Sequence, residues 1–158
     1  MSELESNSIE QPNNLIANDK LMDYGPLPAV IDIKTATIKN DNFRIALWTG
    51  SFVQITLMSV LPNQDIGVEM HKNLDQILKI EDGYGLVRMG ASKDALSMSA
   101  PLTSDNIIIV PAGTWHNISN IGYKPLKLYS IYAPPSHPAS TLQKTKPVTP
   151  RYPERPMS

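Results

Sequence analysis

The 158-residue sequence contains no cysteine. Disulfides, thiolate metal ligands and a cysteine nucleophile are therefore excluded. No apolar run approaches the roughly 20 residues that a membrane-spanning helix requires. The formal net charge is only −1, which gives no electrostatic reason to expect binding to nucleic acid or to a membrane surface. We therefore expect neither among the partners of this protein.

Several functional signatures are also missing. The acidic start, Met1–Glu5, lacks the basic and apolar regions of a secretory signal, so we expect a cytoplasmic protein. There is no Gly-x-Ser-x-Gly motif of the kind that serine hydrolases carry. Gly83, Gly85 and Gly90 flank a predicted hairpin and are followed by no helix, which argues against a phosphate-binding loop.

Composition divides the chain into three parts. Residues 1–22 are rich in Ser, Asn and Glu, and we predict a flexible acidic arm. Residues 23–139 have the length and apolar content of one folded domain. Residues 140–158 form a basic tail in which repeated prolines exclude continuous helix or a central strand.

The middle part is dominated by short β-strand patterns separated by turn signals. Their spacing of about 10 residues is typical of a β-sandwich or barrel rather than of an α/β fold. A jelly-roll barrel satisfies this pattern while hiding most strand edges. The predicted strands are 30–39, 43–48, 52–60, one ending near His71, 76–80, one after the turn at 82–83, 95–100, 106–110, 115–119 and 125–133.

The most informative motif is Pro111–Asn120. Pro111 and Gly113 allow a tight chain reversal after an apolar strand, and a second strand follows at once. Alternation places Thr114, His116 and Ile118 on one face of that strand. His116 is thus either a metal ligand or a buried histidine satisfied by a hydrogen bond.

A second histidine occurs in a comparable position upstream. Alternation groups Glu69, His71 and Asn73 on one face of a strand that ends beside a loop. On the following strand, Gln76 shares its face with the apolar Leu78 and Ile80, so that face is predicted to point inward.

These two stretches resemble the paired motifs of the cupin superfamily. Pro111, Gly113, His116 and Asn120 match the second cupin motif residue for residue, while Asp105 stands in place of its leading glycine. In the first motif His71 matches, Asn73 replaces the second histidine, and Gln76 occupies the position of the glutamate. Over roughly residues 22–147 the chain is similar to small single-domain cupins often labelled mannose-6-phosphate isomerase-like.

The resemblance implies an all-β cupin jelly roll with extended terminal arms. It also implies a divalent metal ion (Zn, Mn, Fe or Ni), a small-molecule ligand or substrate of the sugar-phosphate kind, isomerase-like chemistry and a homodimer. Two imidazoles with oxygen ligands suit such metals. Glu69 is also a candidate catalytic base, a role that competes with its role as a ligand. The predicted metal ligands are His71, His116, Gln76 and Glu69.

Two non-catalytic alternatives stay open: a barrel that binds a small ligand without turnover, and an assembly or scaffold protein. No basic cluster suggests a phosphate clamp, since Arg44 and Arg88 are single residues that we expect on the outer face. His137, in a proline-rich turn, is expected in a surface loop.

Overall fold

Two antiparallel sheets pack against one core in the computed structural model, which describes residues 20–148. The larger sheet has the strand order β6-β3-β8-β2-β1-β9, and the smaller has the order β5-β4-β7. The strands are β1 (Arg44–Thr49), β2 (Gln54–Val60), β3 (Asp75–Asp82), β4 (Gly85–Gly90), β5 (Met98–Leu102), β6 (Ile107–Val110), β7 (Trp115–Asn120), β8 (Leu126–Ala133) and β9 (Leu142–Gln143). The all-β prediction is confirmed.

The core lies between the two sheets and follows the predicted alternation. Leu78 and Ile80 of β3 and Ile118 of β7 are fully buried in one apolar cluster, together with residues of β2, β4 and β8. Apolar burial of this kind is the main force that holds the sheets face to face. Gln76 and His116 lie on the same inward faces, at the end of the barrel where polar groups replace apolar ones.

The strand predicted over residues 30–39 is wrong, because α1 (Ile33–Lys39) occupies most of this segment. Its β-branched residues favour a strand by propensity. Tertiary contacts override that preference, since Ala36 packs with Leu47 and Leu57 on the outer face of the larger sheet. Asp32 caps the N-terminus of the helix, because its side chain accepts a hydrogen bond from the Thr35 N–H at 3.0 Å.

The segment before β3 is not the continuous strand predicted to end near His71. It forms two isolated antiparallel bridges to β7, at Asp65–Ser119 and Glu69–His116. Gly67 has a φ of +88° between them, a conformation that glycine adopts readily and that interrupts strand pairing. The bridges still attach the segment to the sheet and so position the candidate site.

The larger sheet continues into the segment predicted as the tail. Leu142–Gln143 pair with β1, and Lys146 Nζ lies 2.6 Å from Asp65 Oδ1. Most of the predicted acidic arm, residues 1–19, and the end of the tail, residues 149–158, lie outside the described residues. Between residues 20 and 148, no helix is long and apolar enough to cross a membrane.

Candidate metal centre

Backbone pairing holds Glu69 and His116 side by side. Each donates its N–H to the carbonyl oxygen of the other, and both N···O distances are 3.0 Å. Residues paired in this way in antiparallel chains project their side chains to the same face. Glu69 Oε1 consequently lies 3.6 Å from His116 Nε2. The backbone pairing therefore directs the Glu69 side chain inward, towards His116.

His71 completes the cluster from the loop that leads into β3. Its Nε2 lies 3.7 Å from Glu69 Oε1, and its ring centroid lies 5.7 Å from that of His116. One ligand atom from each of the three residues falls within 4.8 Å of the others. Bonds of 2.0–2.2 Å to a tetrahedral metal place its donor atoms about 3.4 Å apart, so the spacing here is close to that of a coordinated set.

The burial of these donors points to a missing partner. His116 is 0% exposed, and the Nε2 atoms of His71 and His116 are both buried with no hydrogen-bond partner among the described residues. Buried polar atoms are nearly always paired in proteins. The residues therefore fit a metal ion, which would accept both imidazole lone pairs.

A backbone carbonyl oxygen determines which nitrogen of His116 is free to face the cluster. Its Nδ1 lies 3.1 Å from the carbonyl oxygen of Thr114, which can only accept a hydrogen bond, so Nδ1 carries a proton. Nε2, which faces Glu69, is then the nitrogen that would bind a metal ion. A backbone carbonyl on the outer nitrogen is the usual way in which proteins orient a metal-binding histidine.

Glu69 is an ionised carboxylate at neutral pH. Burial raises the pKa of Glu69, but the neighbouring imidazoles of His116 and His71 lower it more, to about 2. A carboxylate with two imidazoles forms a donor set that suits Zn, Mn, Fe or Ni.

Gln76 faces the same interior as the cluster. The side chain is 1% exposed, and its Oε1 has no hydrogen-bond partner within residues 20–148. Oε1 of Gln76 is thus a neutral oxygen that is available to a metal ion, as the resemblance implied. Asn73, which stands where the first cupin motif has its second histidine, is exposed and outside the cluster.

The expectation that Arg44 lies on the outer face is wrong, whereas Arg88 is exposed as expected. Alternation in β1 correctly separates Arg44 from Ile45 and Leu47, but α1 covers the face that these two apolar residues form. Arg44 consequently points to the barrel interior, beside Met58. The inward position of Arg44 could not be predicted from the sequence, because the pattern of residues 30–39 indicates a strand and not the helix that covers β1.

His137 also differs from the prediction of a surface loop residue. It is half-buried, and its ring packs edge-on against Tyr132 at a centroid distance of 5.3 Å. Gln54 holds the loop in place by accepting the N–H groups of Ser136 and His137. Burial, with a smaller contribution from Arg44, lowers the pKa of His137 to about 4.

Sequence relatives cover most of the chain. It is 56% identical over 126 residues to the uncharacterized protein YrkC of Bacillus subtilis, spanning 80% of this chain and 68% of YrkC. It is 38% identical over 121 residues to the uncharacterized protein L612 of Acanthamoeba polyphaga mimivirus, spanning 75% and 72%. No family model matches the sequence.

Solved structures identify the fold. The crystal structure of BH2720 from Bacillus halodurans is 52% identical, with a TM-score of 0.79 over 80% of this chain and 96% of that one. The cupin domain of Schizosaccharomyces pombe Cnp3 is 20% identical, with a TM-score of 0.51 over 57% and 62%. A Klebsiella pneumoniae protein with a double-stranded β-helix domain is 18% identical, with a TM-score of 0.51 over 63% and 82%. The fold is therefore the double-stranded β-helix of the cupins. Within that fold, the chain belongs to the family of YrkC and L612.

Proposed function

We propose that this cupin binds a divalent metal ion inside its barrel and, beside it, a small polar molecule. Glu69, His71 and His116 are the protein ligands, and Gln76 Oε1 supplies a further neutral oxygen. The observation that carries the proposal is the convergence of three ligand atoms within 4.8 Å, with both imidazole Nε2 atoms buried and unpartnered among the described residues.

When bound, the metal would supply Lewis acidity to a carbonyl or hydroxyl oxygen of the ligand. Glu69 acts as a metal ligand rather than as a general base. An effective base has a pKa near the operating pH, whereas burial and the two histidines together leave the pKa of Glu69 at about 2. The role of catalytic base considered from the sequence is therefore the less favourable one.

Binding of a small polar ligand is the first part of the proposal, and isomerase-like turnover of a sugar phosphate is the second. Isomerisation requires a group that removes a proton near neutral pH. Of the groups around His71, burial raises the pKa of Tyr132, and burial lowers that of His137 to about 4. A tyrosine whose pKa is raised and a histidine whose pKa is far below neutral are both poor general bases at neutral pH, which favours ligand binding over sugar-phosphate isomerisation.

Elemental analysis of untagged protein tests the metal site. The parent is expected to carry about one Zn, Mn, Fe or Ni ion per chain, and the His71→Ala/His116→Ala double variant none. His137→Ala is the matched control, because it removes the third histidine of the sequence and leaves the cluster intact. Absence of metal in the parent, even after incubation with each of these ions, would overturn the proposal.

Two expectations from the sequence and the resemblance remain proposals: a homodimer and a cytoplasmic location. Light scattering at several concentrations measures the first, with a mass of about twice the 17.5 kDa chain as the expected result. Cell fractionation measures the second.

A further inference from the structure

Arg44 is a buried cation with no counter-ion among residues 20–148. It is 6% exposed, and no carboxylate of residues 20–148 lies within 4 Å of its guanidinium nitrogens. Burying an unpaired charge is costly, and proteins normally provide a partner. The side chain lies over the Phe43 ring at 5.3 Å, a contact that weakly favours a cation without neutralising it.

The hydrogen bonds of Arg44 leave one edge of the guanidinium available. Nη1 donates to Gln143 Oε1 at 2.6 Å. In the part of the chain that the structure describes, the one hydrogen-bond partner of Nη2 is Met58 Sδ, a weak acceptor at 3.8 Å, and Nε is buried with none. Nε and Nη2 share one edge of the planar group, and this edge has the geometry that binds two oxygens of a carboxylate or phosphate.

A second unpartnered donor belongs to the same surface. Thr56 is fully buried, and its Oγ1 makes no hydrogen bond of good geometry within the described range, although the Tyr132 hydroxyl lies near it. Thr56 lies opposite Ser130, and the next inward residues along β2 and β8, Gln54 and Tyr132, are paired in the same way. Arg44, Thr56, Ser130 and Tyr132 thus form an inner polar strip along the larger sheet.

The inner polar strip leads to the candidate metal centre. The Tyr132 ring lies 5.8 Å from that of His71, and Gln76, paired with Tyr132, donates to Ser130 Oγ at 2.8 Å. Tyr132 also packs edge-on against the ring of His137, with centroids 5.3 Å apart. Arg44 and the candidate metal centre therefore lie on the same inner face of the barrel.

We propose that the ligand of this barrel carries an oxyanion, a carboxylate or a phosphate, that binds the Nε–Nη2 edge of Arg44 and accepts a hydrogen bond from Thr56 Oγ1. The inference rests on the proposed function in one respect: it assigns the anion to the same small polar molecule that reaches the metal. The Arg44 site itself is built from residues outside the metal cluster and can be tested separately.

Calorimetric titrations with glycolate and with inorganic phosphate test the inference, with ethylene glycol as the uncharged probe. Each is titrated into metal-loaded and metal-stripped protein, for the parent, Arg44→Gln and Arg88→Gln. Arg88→Gln is the matched control, because it removes the same charge from an exposed position of β4. We expect Arg44→Gln to weaken binding of at least one anion about 10- to 100-fold, as loss of charge-assisted hydrogen bonds does, and Arg88→Gln to leave it unchanged.

The anion that depends on Arg44 identifies the class: glycolate indicates a carboxylate ligand, and phosphate a phosphorylated one. Equal affinity in the parent and both variants, or anion binding no tighter than that of ethylene glycol, overturns the inference. Thr56→Val, which keeps the shape of the side chain, provides a second measurement if Arg44→Gln does not fold, and the same loss of anion binding is expected.

The two proposals fail in different ways. Arg44-dependent anion binding in a parent that takes up no metal contradicts the proposed function and supports the oxyanion site. Stoichiometric metal without Arg44-dependent anion binding supports the proposed function and contradicts the oxyanion site.

Discussion

Gln76 donates a hydrogen bond through Nε2 to Ser130 Oγ at 2.8 Å. This bond fixes the orientation of the buried amide and leaves Oε1 as the atom without a partner. Because the position of Gln76 corresponds to the glutamate of the first cupin motif, the chain carries a neutral oxygen where a charged one is usual.

Gln76→Glu is expected to bind Zn²⁺ about 10-fold more tightly at pH 7 and to be less stable than the parent without metal. A carboxylate is a stronger ligand than an amide, but without metal it is a buried charge, which the Ser130 hydroxyl can stabilise only in part. Chelator competition and thermal unfolding with and without Zn²⁺ measure the two effects. Gln54→Glu makes the same change at another fully buried glutamine, so tighter binding there, or none at Gln76→Glu, would contradict the assignment of Gln76.

Glu69→Gln is expected to lower the stability of the metal-free protein at pH 7 by about 1–3 kcal/mol. Although burial raises the pKa of Glu69, the two histidines lower it more, to about 2, from an ordinary value of 4.5. The ionised carboxylate therefore contributes stability that is present above about pH 4.5 and is lost as the pH falls towards 2. Urea unfolding of both proteins across this range checks the sign: a difference that grows on acidification would contradict it.

Gly113→Ala and Gly67→Ala form a matched pair for the role of the turn before β7. Both glycines have positive φ, +81° and +88°, and at neither would an added Cβ meet another atom within 4 Å. Each substitution is expected to cost about 1 kcal/mol in backbone strain. Only Gly113 donates its N–H to the carbonyl oxygen of His71, at 2.7 Å. Zn²⁺ affinity should therefore fall in Gly113→Ala alone, and an equal fall in Gly67→Ala would show that the turn has no special coupling to His71.

His137 is expected to stay neutral throughout the range in which an exposed histidine titrates. Burial, followed by the charge of Arg44, lowers its pKa to about 4. The unfolded chain binds the proton more readily between pH 6.5 and 4, so this residue makes the fold less stable as the pH falls through that window. NMR of the metal-free protein, with the His137 signals assigned from a His137→Gln spectrum, should show them unchanged from pH 7 to 5. A midpoint near 6.5 would mean that the ring is solvated.

The metal cluster was predictable because β-strand alternation is a local property. Gln76 precedes Leu78 and Ile80 on the buried face of β3, and His116 precedes Ile118 on that of β7, so alternation shows which way both side chains point. The outward assignment of Arg44 failed for a different reason. Both faces of β1 are covered, one by the barrel core and one by α1, and alternation cannot show which of two buried faces a charge occupies.

The sequence by itself determined the all-β architecture, the turn at Pro111–Gly113 and the inward direction of His116 and Gln76, because these depend on backbone preferences and period-two patterning. The tertiary structure alone decided that residues 33–39 form a helix, that Leu142–Gln143 close the sheet edge, and that Arg44 lies inside the barrel. These features depend on contacts between residues far apart in the chain, such as Arg44 with Gln143, which no local pattern records.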